Sequence, residues 1–155
     1  MSFDIITQVR YKSTRLPAKI LLNFSDENFL CFFLNNLKKT KQVRKVILAC
    51  PKDEYSEIFK FFCKKLKIDF FSAEGDENDV LSRYFKCAKK FASKNIIRVT
   101  SDCPFINPLV ITQMIKFYKK NKLKFLTNNK PRFIPHGFDC EIFSFDSLQK
   151  SFLSA

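Results

Sequence analysis

Glycine is nearly missing. The 155-residue chain holds two, about 1 % where globular proteins average near 7 %. A collagen-like repeat, a Gly/Ser linker and a Gly-x-x-x-x-Gly-Lys phosphate loop are thereby excluded. Histidine occurs once, at His136, which excludes motifs that pair two histidines on a metal. No serine stands in a nucleophile elbow, so a Ser-His-Asp hydrolase is not expected. The six cysteines form no Cys-x-x-Cys pair and no zinc spacing. No apolar run approaches the roughly 18 residues of a membrane span. The start, Met1-Ser2-Phe3-Asp4, lacks the basic region of a signal peptide.

Phenylalanine is what the chain has in excess, 20 residues, within 46 % hydrophobic and 28 % charged content. That composition is globular. The length fits one domain, 1–155, able to bury a core without staples. Cysteines in apolar surroundings, such as Leu30-Cys31-Phe32, point to buried free thiols in a reduced, cytoplasmic protein. Lys and Arg total 28 against 15 Asp and Glu, a net charge of +13. One reading is a polyanionic partner: nucleic acid, a membrane surface or a phosphorylated substrate. The other is an AT-rich genome, which also explains the abundant Lys, Phe, Ile and Asn. The placement of single charges decides more than their sum.

Short buried strands alternate with amphipathic helices. Residues 3–8, 46–50, 68–71, 96–100 and 124–128 read as strands. Phe29, Leu30, Phe33, Leu34 and Leu37 mark a helix over about 26–39. Asp53 is the expected cap of a helix carrying Ile58, Phe59, Phe62 and Leu66. Asn78 or Asp79 caps another, with Leu81, Tyr84, Phe85, Ala88 and Phe91 facing inward. Asn107-Pro108 starts a fourth. A short strand near 140–143 and a helix starting at Asp146 complete the pattern. It implies βαβ units, a mostly parallel sheet and helices on both faces. Ligands in such folds sit beyond the carboxyl ends of the strands, which singles out the loops after Gln8, Cys50, Phe71 and Thr100.

The loop after the first strand carries Arg10, Lys12, Arg15 and Lys19 in ten residues, with Ser13 and Thr14 between them. Forked and point cations with hydroxyl donors suit phosphate oxygens, although a solvated basic loop has the same composition. The order Arg10-x-x-Ser13-Thr14-Arg15-Leu16-Pro17-x-Lys19 resembles the signature of sugar cytidylyltransferases. The group it is most similar to is that of spore coat polysaccharide biosynthesis protein F, related to the acylneuraminate and 3-deoxy-octulosonate cytidylyltransferases. Three further segments resemble the same group in order: Gly75 to Tyr84, Arg98 to Pro108, and Pro135 to Phe143. The chain departs from the pattern where Lys12, Ala18 and Ser101 replace glycines that let backbone approach phosphates.

The resemblance implies a three-layer α/β/α sandwich, the Rossmann-like nucleotide-diphosphosugar transferase fold. It implies transfer of CMP from CTP to a sugar acid with release of pyrophosphate, in polysaccharide or glycan biosynthesis. Arg10 and Lys19 would meet the β- and γ-phosphates, with Lys12, Ser13 and Arg15 in support. Asp102 would hold Mg2+. Asp79 reads as a helix cap, and Arg83 and Tyr84 as contacts to base or sugar or as core. His136 is a sugar contact or an ordinary loop histidine. Asp139 and Glu141, alternate residues of one short strand, bind sugar or metal or form a solvated edge. Members of the group continue past the point that Ala155 reaches, and the chain is expected to lack a C-terminal part with a second metal aspartate and a dimerisation region; full-length relatives are expected to be homodimers. No specific nucleic-acid or membrane partner is expected. Alternatives are a nucleotide-sugar glycosyltransferase, disfavoured by the absence of an Asp-x-Asp motif, and an inactive basic binding module.

Overall fold

A strand with no exposed residue belongs in the middle of a sheet. In the computed structural model, which describes residues 1–12, 18–24 (backbone alone at 24), 26–132 and 134–155, β1 (Phe3–Gln8) is that strand, with Phe3, Ile5 and Ile6 fully buried. A 3-10 turn (Lys19–Leu21) and a two-residue hairpin, β2 (Asn23–Phe24) with β3 (Glu27–Asn28), follow it. Then come α1 (Phe29–Lys38), β4 (Lys45–Pro51), α2 (Ser56–Leu66), β5 (Asp69–Ala73), α3 (Val80–Lys90) and β6 (Asn95–Thr100). The chain continues through α4 (Pro108–Lys120), β7 (Phe125–Thr127), β8 (Glu141–Ser144) and α5 (Phe145–Leu153).

The main sheet runs β5-β4-β1-β6-β8-β7. β1 is parallel to β4 and β6, and β4 to β5, whereas β8 lies antiparallel between β6 and β7. Phe33, Leu37, Phe59, Ile111 and Tyr118 of α1, α2 and α4 cover one face of the sheet. Tyr84, Cys87, Ala88 and Leu148 of α3 and α5 cover the other, against Ile6, Ile47 and Ile96. The three-layer α/β/α sandwich is thus present, its sheet mixed through one strand. All six cysteines are buried and free, and burial pushes the Cys50 thiol up to about 12. Among the described residues no helix is long and apolar enough to cross a membrane.

Helix starts follow side-chain acceptors, which moves three expected boundaries. Asn28, whose Oδ1 accepts from the Cys31 amide at 2.8 Å, starts α1 at Phe29; Glu27 and Asn28 belong to β3. Asp53 accepts from the Tyr55 amide at 2.9 Å in a turn before α2, so it does not cap that helix. Ser144 rather than Asp146 caps α5, its Oγ accepting from Ser147 at 3.1 Å. Asp79 and Asn107 are caps as read from sequence, accepting from Ser82 and Leu109.

Helix ends show how the chain manages without glycine. Lys67, Ala92 and Lys122 hold the left-handed conformation after α2, α3 and α4, with φ of 54°, 49° and 51°. Each lets the next amide reach back to a late helical carbonyl: Ile68 to Cys63, Ser93 to Ala88 and Leu123 to Tyr118, at 2.9, 2.9 and 3.1 Å. This is the closure that glycine normally serves; a Cβ there costs about 1–2 kcal/mol. The last turns also carry Lys64 and Lys65, Lys89 and Lys90, and Lys119 and Lys120, matching the negative end of each helix dipole.

At the start of β1, Asp4 is 1 % exposed. Its carboxylate accepts from Nε and Nη2 of Arg44 and from Ser93 Oγ, while Arg44 also donates to the Phe91 carbonyl at 2.8 Å. One buried charge therefore ties β1 to the turns leading into β4 and β6.

Lys67→Gly, Ala92→Gly and Lys122→Gly are each expected to raise stability by about 0.5–1 kcal/mol, strain relief less the added unfolded-chain entropy. Urea unfolding reads this as a higher midpoint at unchanged m-value, nearly additive in the triple variant because the sites lie on separate connections. Lower midpoints in all three would overturn it.

Candidate functional site

The carboxyl ends of β1 and β6 open into a cleft of about 390 Å³. Gln8, Val9 and Arg10 form its floor and one wall, Lys19 and Ile20 a second, the 77–83 segment a third, and Thr100, Ser101 and Asp102 the last. Three expected site residues, Arg10, Lys19 and Asp102, are thereby brought together from 92 positions of sequence.

Each is placed by a local cause. The Val9 amide bonds the Ala49 carbonyl at 2.9 Å, so the chain leaves the sheet only at Arg10. The Arg10 guanidinium crosses toward Asn78 Oδ1 at 3.4 Å and Glu77 at 3.9 Å. Both contacts are long, and the arginine side chain is 48 % exposed, so its donors remain open to a ligand. Lys19 opens the 3-10 turn, whose Ile20 is buried in the core at 2 % exposure. Among the described residues Lys19 has no ion-pair partner. Asp102 follows β6 in a turn closed by the Cys103 amide on the Thr100 carbonyl at 3.0 Å, and its carboxylate is exposed.

The segment between Arg10 and Lys19 is fastened at both ends. The Tyr11 ring stacks on Tyr55 with centroids 3.7 Å apart, and the Ala18 amide donates to the Tyr11 carbonyl at 3.1 Å. Ala18 has φ 55°: where the resembling group has glycine, the left-handed backbone is kept with a Cβ on it. Ser13 and Arg15 lie outside the described residues. Lys12 turns from the cleft to Glu54, 3.6 Å away.

Arg83 is the residue whose part sequence reading left open. It is 5 % exposed and donates to Gln8 Oε1 at 2.8 Å and to the carbonyls of Glu77 and Asp76 at 2.8 and 3.3 Å. Burial pulls its pKa down, opposed by nearby acidic groups. Its Nε has no partner among the described residues. Arg83 thus pins the loop ahead of α3 over the end of β1 and forms the cleft. The signal was legible: Arg83 precedes Cys87 by one helical turn on the buried face of α3. Tyr84, by contrast, is core, its hydroxyl donating to the Ile6 carbonyl at 3.1 Å.

The other expected residues stand apart. Asp139 precedes β8 and is held by Arg132 through two bonds of 2.7 and 3.0 Å. Glu141, the first residue of β8, pairs with Arg98 at 2.7 Å in a second, mostly apolar cavity with Tyr84, Phe143 and Leu148. The two carboxylates have different guanidinium partners, and only Glu141 lies in the strand, so the strand alternation read from sequence does not extend to Asp139. His136 is exposed beside Gly137.

The sequence profile of the Cytidylyltransferase family matches residues 5–149. An uncharacterized protein of Methanocaldococcus jannaschii is 30 % identical over 97 % of this chain and 60 % of its own length. Spore coat polysaccharide biosynthesis protein SpsF of Bacillus subtilis is 30 % identical over 72 % of this chain and 47 % of its own. The solved structure of a cytidylyltransferase from Leptospira borgpetersenii superposes with a TM-score of 0.91 at 33 % identity, over 100 % of this chain and 65 % of that one. The chain therefore spans roughly half to two-thirds of the length of these three proteins.

Arg83→Met is expected to cost about 2–3 kcal/mol, since it strands Gln8 and two carbonyls, and to speed amide exchange at Asn78 and Asp79. Unchanged exchange there would show that Arg83 does not hold the loop. The Arg132 guanidinium keeps Asp139 below its ordinary carboxylate range. That pairing therefore contributes at neutral pH and is lost as pH falls through the depressed value. In Arg132→Ala, an NMR titration of Asp139 is expected to move upward to the ordinary range; an unmoved titration would remove the pairing as its cause.

Proposed function

The chain belongs to the cytidylyltransferase family over residues 5–149, and we propose that it binds CTP in the cleft and transfers CMP to a sugar acid, releasing pyrophosphate. The observation that carries this reading is the convergence of Arg10, Lys19 and Asp102 on one cleft at the carboxyl ends of two neighbouring parallel strands. Two cations with open donors suit a triphosphate, and the strand-end position is where α/β sheets bind nucleotides.

In the reaction a sugar hydroxyl bonds to the α-phosphorus, the α–β anhydride bond breaks, pyrophosphate leaves and the hydroxyl proton passes to water. Positioning and charge neutralisation dominate such steps. Arg10 presents a fork to two oxygens and Lys19 a point charge, their backbones anchored by the Val9–Ala49 bond and by buried Ile20. They stabilise the charge that grows on the departing pyrophosphate.

Magnesium is part of the proposal. Among the described residues no group of three or more His, Cys, Asp or Glu side chains could hold a metal unaided. An ion carried in on triphosphate needs only one or two carboxylates, the rest coming from phosphate and water. Asp102 fits that demand and would hold it, the ion supplying Lewis-acid polarisation of the phosphoryl oxygens. The 134–140 segment is the proposed acceptor side, because Asp139 borders Cys103 in the turn that carries Asp102. His136 and Asp139 are its candidate sugar contacts; Glu141, committed to Arg98 in the second cavity, is set aside.

Calorimetric titration of the chain with CTP and magnesium tests the cleft directly. Arg10→Ala and Lys19→Ala are each expected to weaken CTP at least about tenfold, the scale of one charged hydrogen bond, with unchanged circular dichroism. Asp102→Asn is expected to remove the magnesium dependence of binding. Wild-type CTP affinity in both cation variants would overturn the reading. Pyrophosphate release with a panel of sugar acids then tests the acceptor.

A further inference from the structure

The net charge of the chain is concentrated at the end of the molecule opposite the cleft. Parallel pairing puts the starts of β1, β4, β5 and β6 at one end, and α1 to α4 each finish there. Fifteen of the 28 Lys and Arg residues lie in the last turns of those helices, in the connections that follow or, for Lys45, at the first residue of the next strand. Only three of the 15 carboxylates, Asp4, Asp69 and Asp146, share that end. Fifteen against three leaves +12 of the chain's +13. Of the cations in the loop after β1, Arg10 and Lys12 face Glu77 and Glu54.

We propose that this end is a docking face for an anionic lipid bilayer, with the lysines against its headgroups and the cleft facing away. Arg44 and Lys45 are paired with Asp4 and Asp69. The remaining thirteen, all lysines, have no ion-pair partner among the described residues. The helix dipole accounts for lysines within a last turn, but not for Lys41, Lys94, Lys122 and Lys124 in the connections beyond. Clustering like charge destabilises a compact chain, and an anionic surface turns that cost into attraction.

The geometry favours a plane. α1, α2 and α4 end on one side of the sheet and α3 on the other, so the lysines spread in two dimensions across both helical layers. A flat bilayer meets both at once; a nucleic-acid cylinder meets one line. Among the described residues the face has a single guanidinium, Arg44, already committed to Asp4 and the Phe91 carbonyl, so forked readout of bases is not on offer. Flexible point charges suit lipid headgroups, at about fivefold in affinity per lysine near the surface. Since no described helix can span a membrane, the contact is peripheral.

Cosedimentation with phosphatidylcholine vesicles, with and without phosphatidylserine, tests this. Binding is expected only with phosphatidylserine and is expected to vanish at roughly 0.5 M salt, where the Debye length is a few ångströms. Lys64→Gln, Lys65→Gln, Lys89→Gln and Lys90→Gln combined is expected to weaken it about 100-fold or more at unchanged CTP affinity. A second set, Lys41→Gln, Lys94→Gln, Lys122→Gln and Lys124→Gln, is expected to do the same, which guards against a folding defect in either. The cleft variants leave vesicle binding intact, so failure here and failure of the CTP reading are separable. Equal binding to neutral vesicles, undiminished binding by both lysine sets, or tighter binding to tRNA or duplex DNA than to phosphatidylserine vesicles at the same salt would overturn the proposal.

Discussion

A parallel strand pair cannot be closed by a tight turn; the chain must cross the whole sheet before it can pair again. Almost every feature of this molecule follows from paying that length four times, through α1, α2, α3 and α4. Each crossover delivers its loop ahead of the helix to one edge and its helix end to the other. The loop edge collects Arg10, Lys19, the 76–79 turn and Asp102. The opposite edge collects the left-handed closures at Lys67, Ala92 and Lys122 and the lysines around them. Cleft and basic face are two ends of the same topology.

β1 is where the two ends are mechanically joined, and a buried polar knot fixes each end of it. At its start Asp4 is bonded by Arg44 and Ser93. At its finish Gln8 is bonded by Arg83, which also gathers two carbonyls of the loop ahead of α3. Such groups are costly to bury alone, and removing one partner of a buried ion pair typically costs about 3–5 kcal/mol. They add little net stability but forbid slippage, because any other register leaves a charge without partners. Gln8 and the 76–79 loop are therefore held in one relation, and the cleft between them exists before a ligand enters it.

Sequence reading succeeded where burial is periodic. Phe29, Phe33, Leu34 and Leu37 had to share a helix face, and the run Val46 to Cys50 had to be a central strand. It failed where structure is set by a single bond or by elements too short for a period. The 23–28 hairpin has two residues per strand. Ser144 outcompetes Asp146 as a cap through one hydroxyl. The placement of β8 between β6 and β7 depends on which edge was left open, which local pattern does not encode. Of the expected site, Arg10, Lys19 and Asp102 meet in one cleft because the chain leaves the sheet at strand ends, which pattern marks. Lys12 lies outside that lining and pairs with Glu54, from another crossover, which no local pattern encodes. Asp139 and Glu141 looked equivalent by alternation, yet the strand begins only at Glu141.

The scarcity of glycine is selective, and the selection has a physical basis. Among the described residues five non-glycines take positive φ, at Ala18, Gln42, Lys67, Ala92 and Lys122, all between 49° and 66°. That interval is the left-handed well, which a side chain can occupy at modest cost. The two glycines sit at φ 123° and 93°, outside that well. A Cβ added at either would meet nothing within 4 Å, so both are retained for backbone angle and not for close approach. Gly75 lets the chain turn from β5 into the loop that Arg83 holds, and Gly137 turns it back toward β8. Ala18 belongs to the first class. Its φ of 55° lies in the well that a side chain tolerates, so the 3-10 turn that carries Lys19 is entered without glycine.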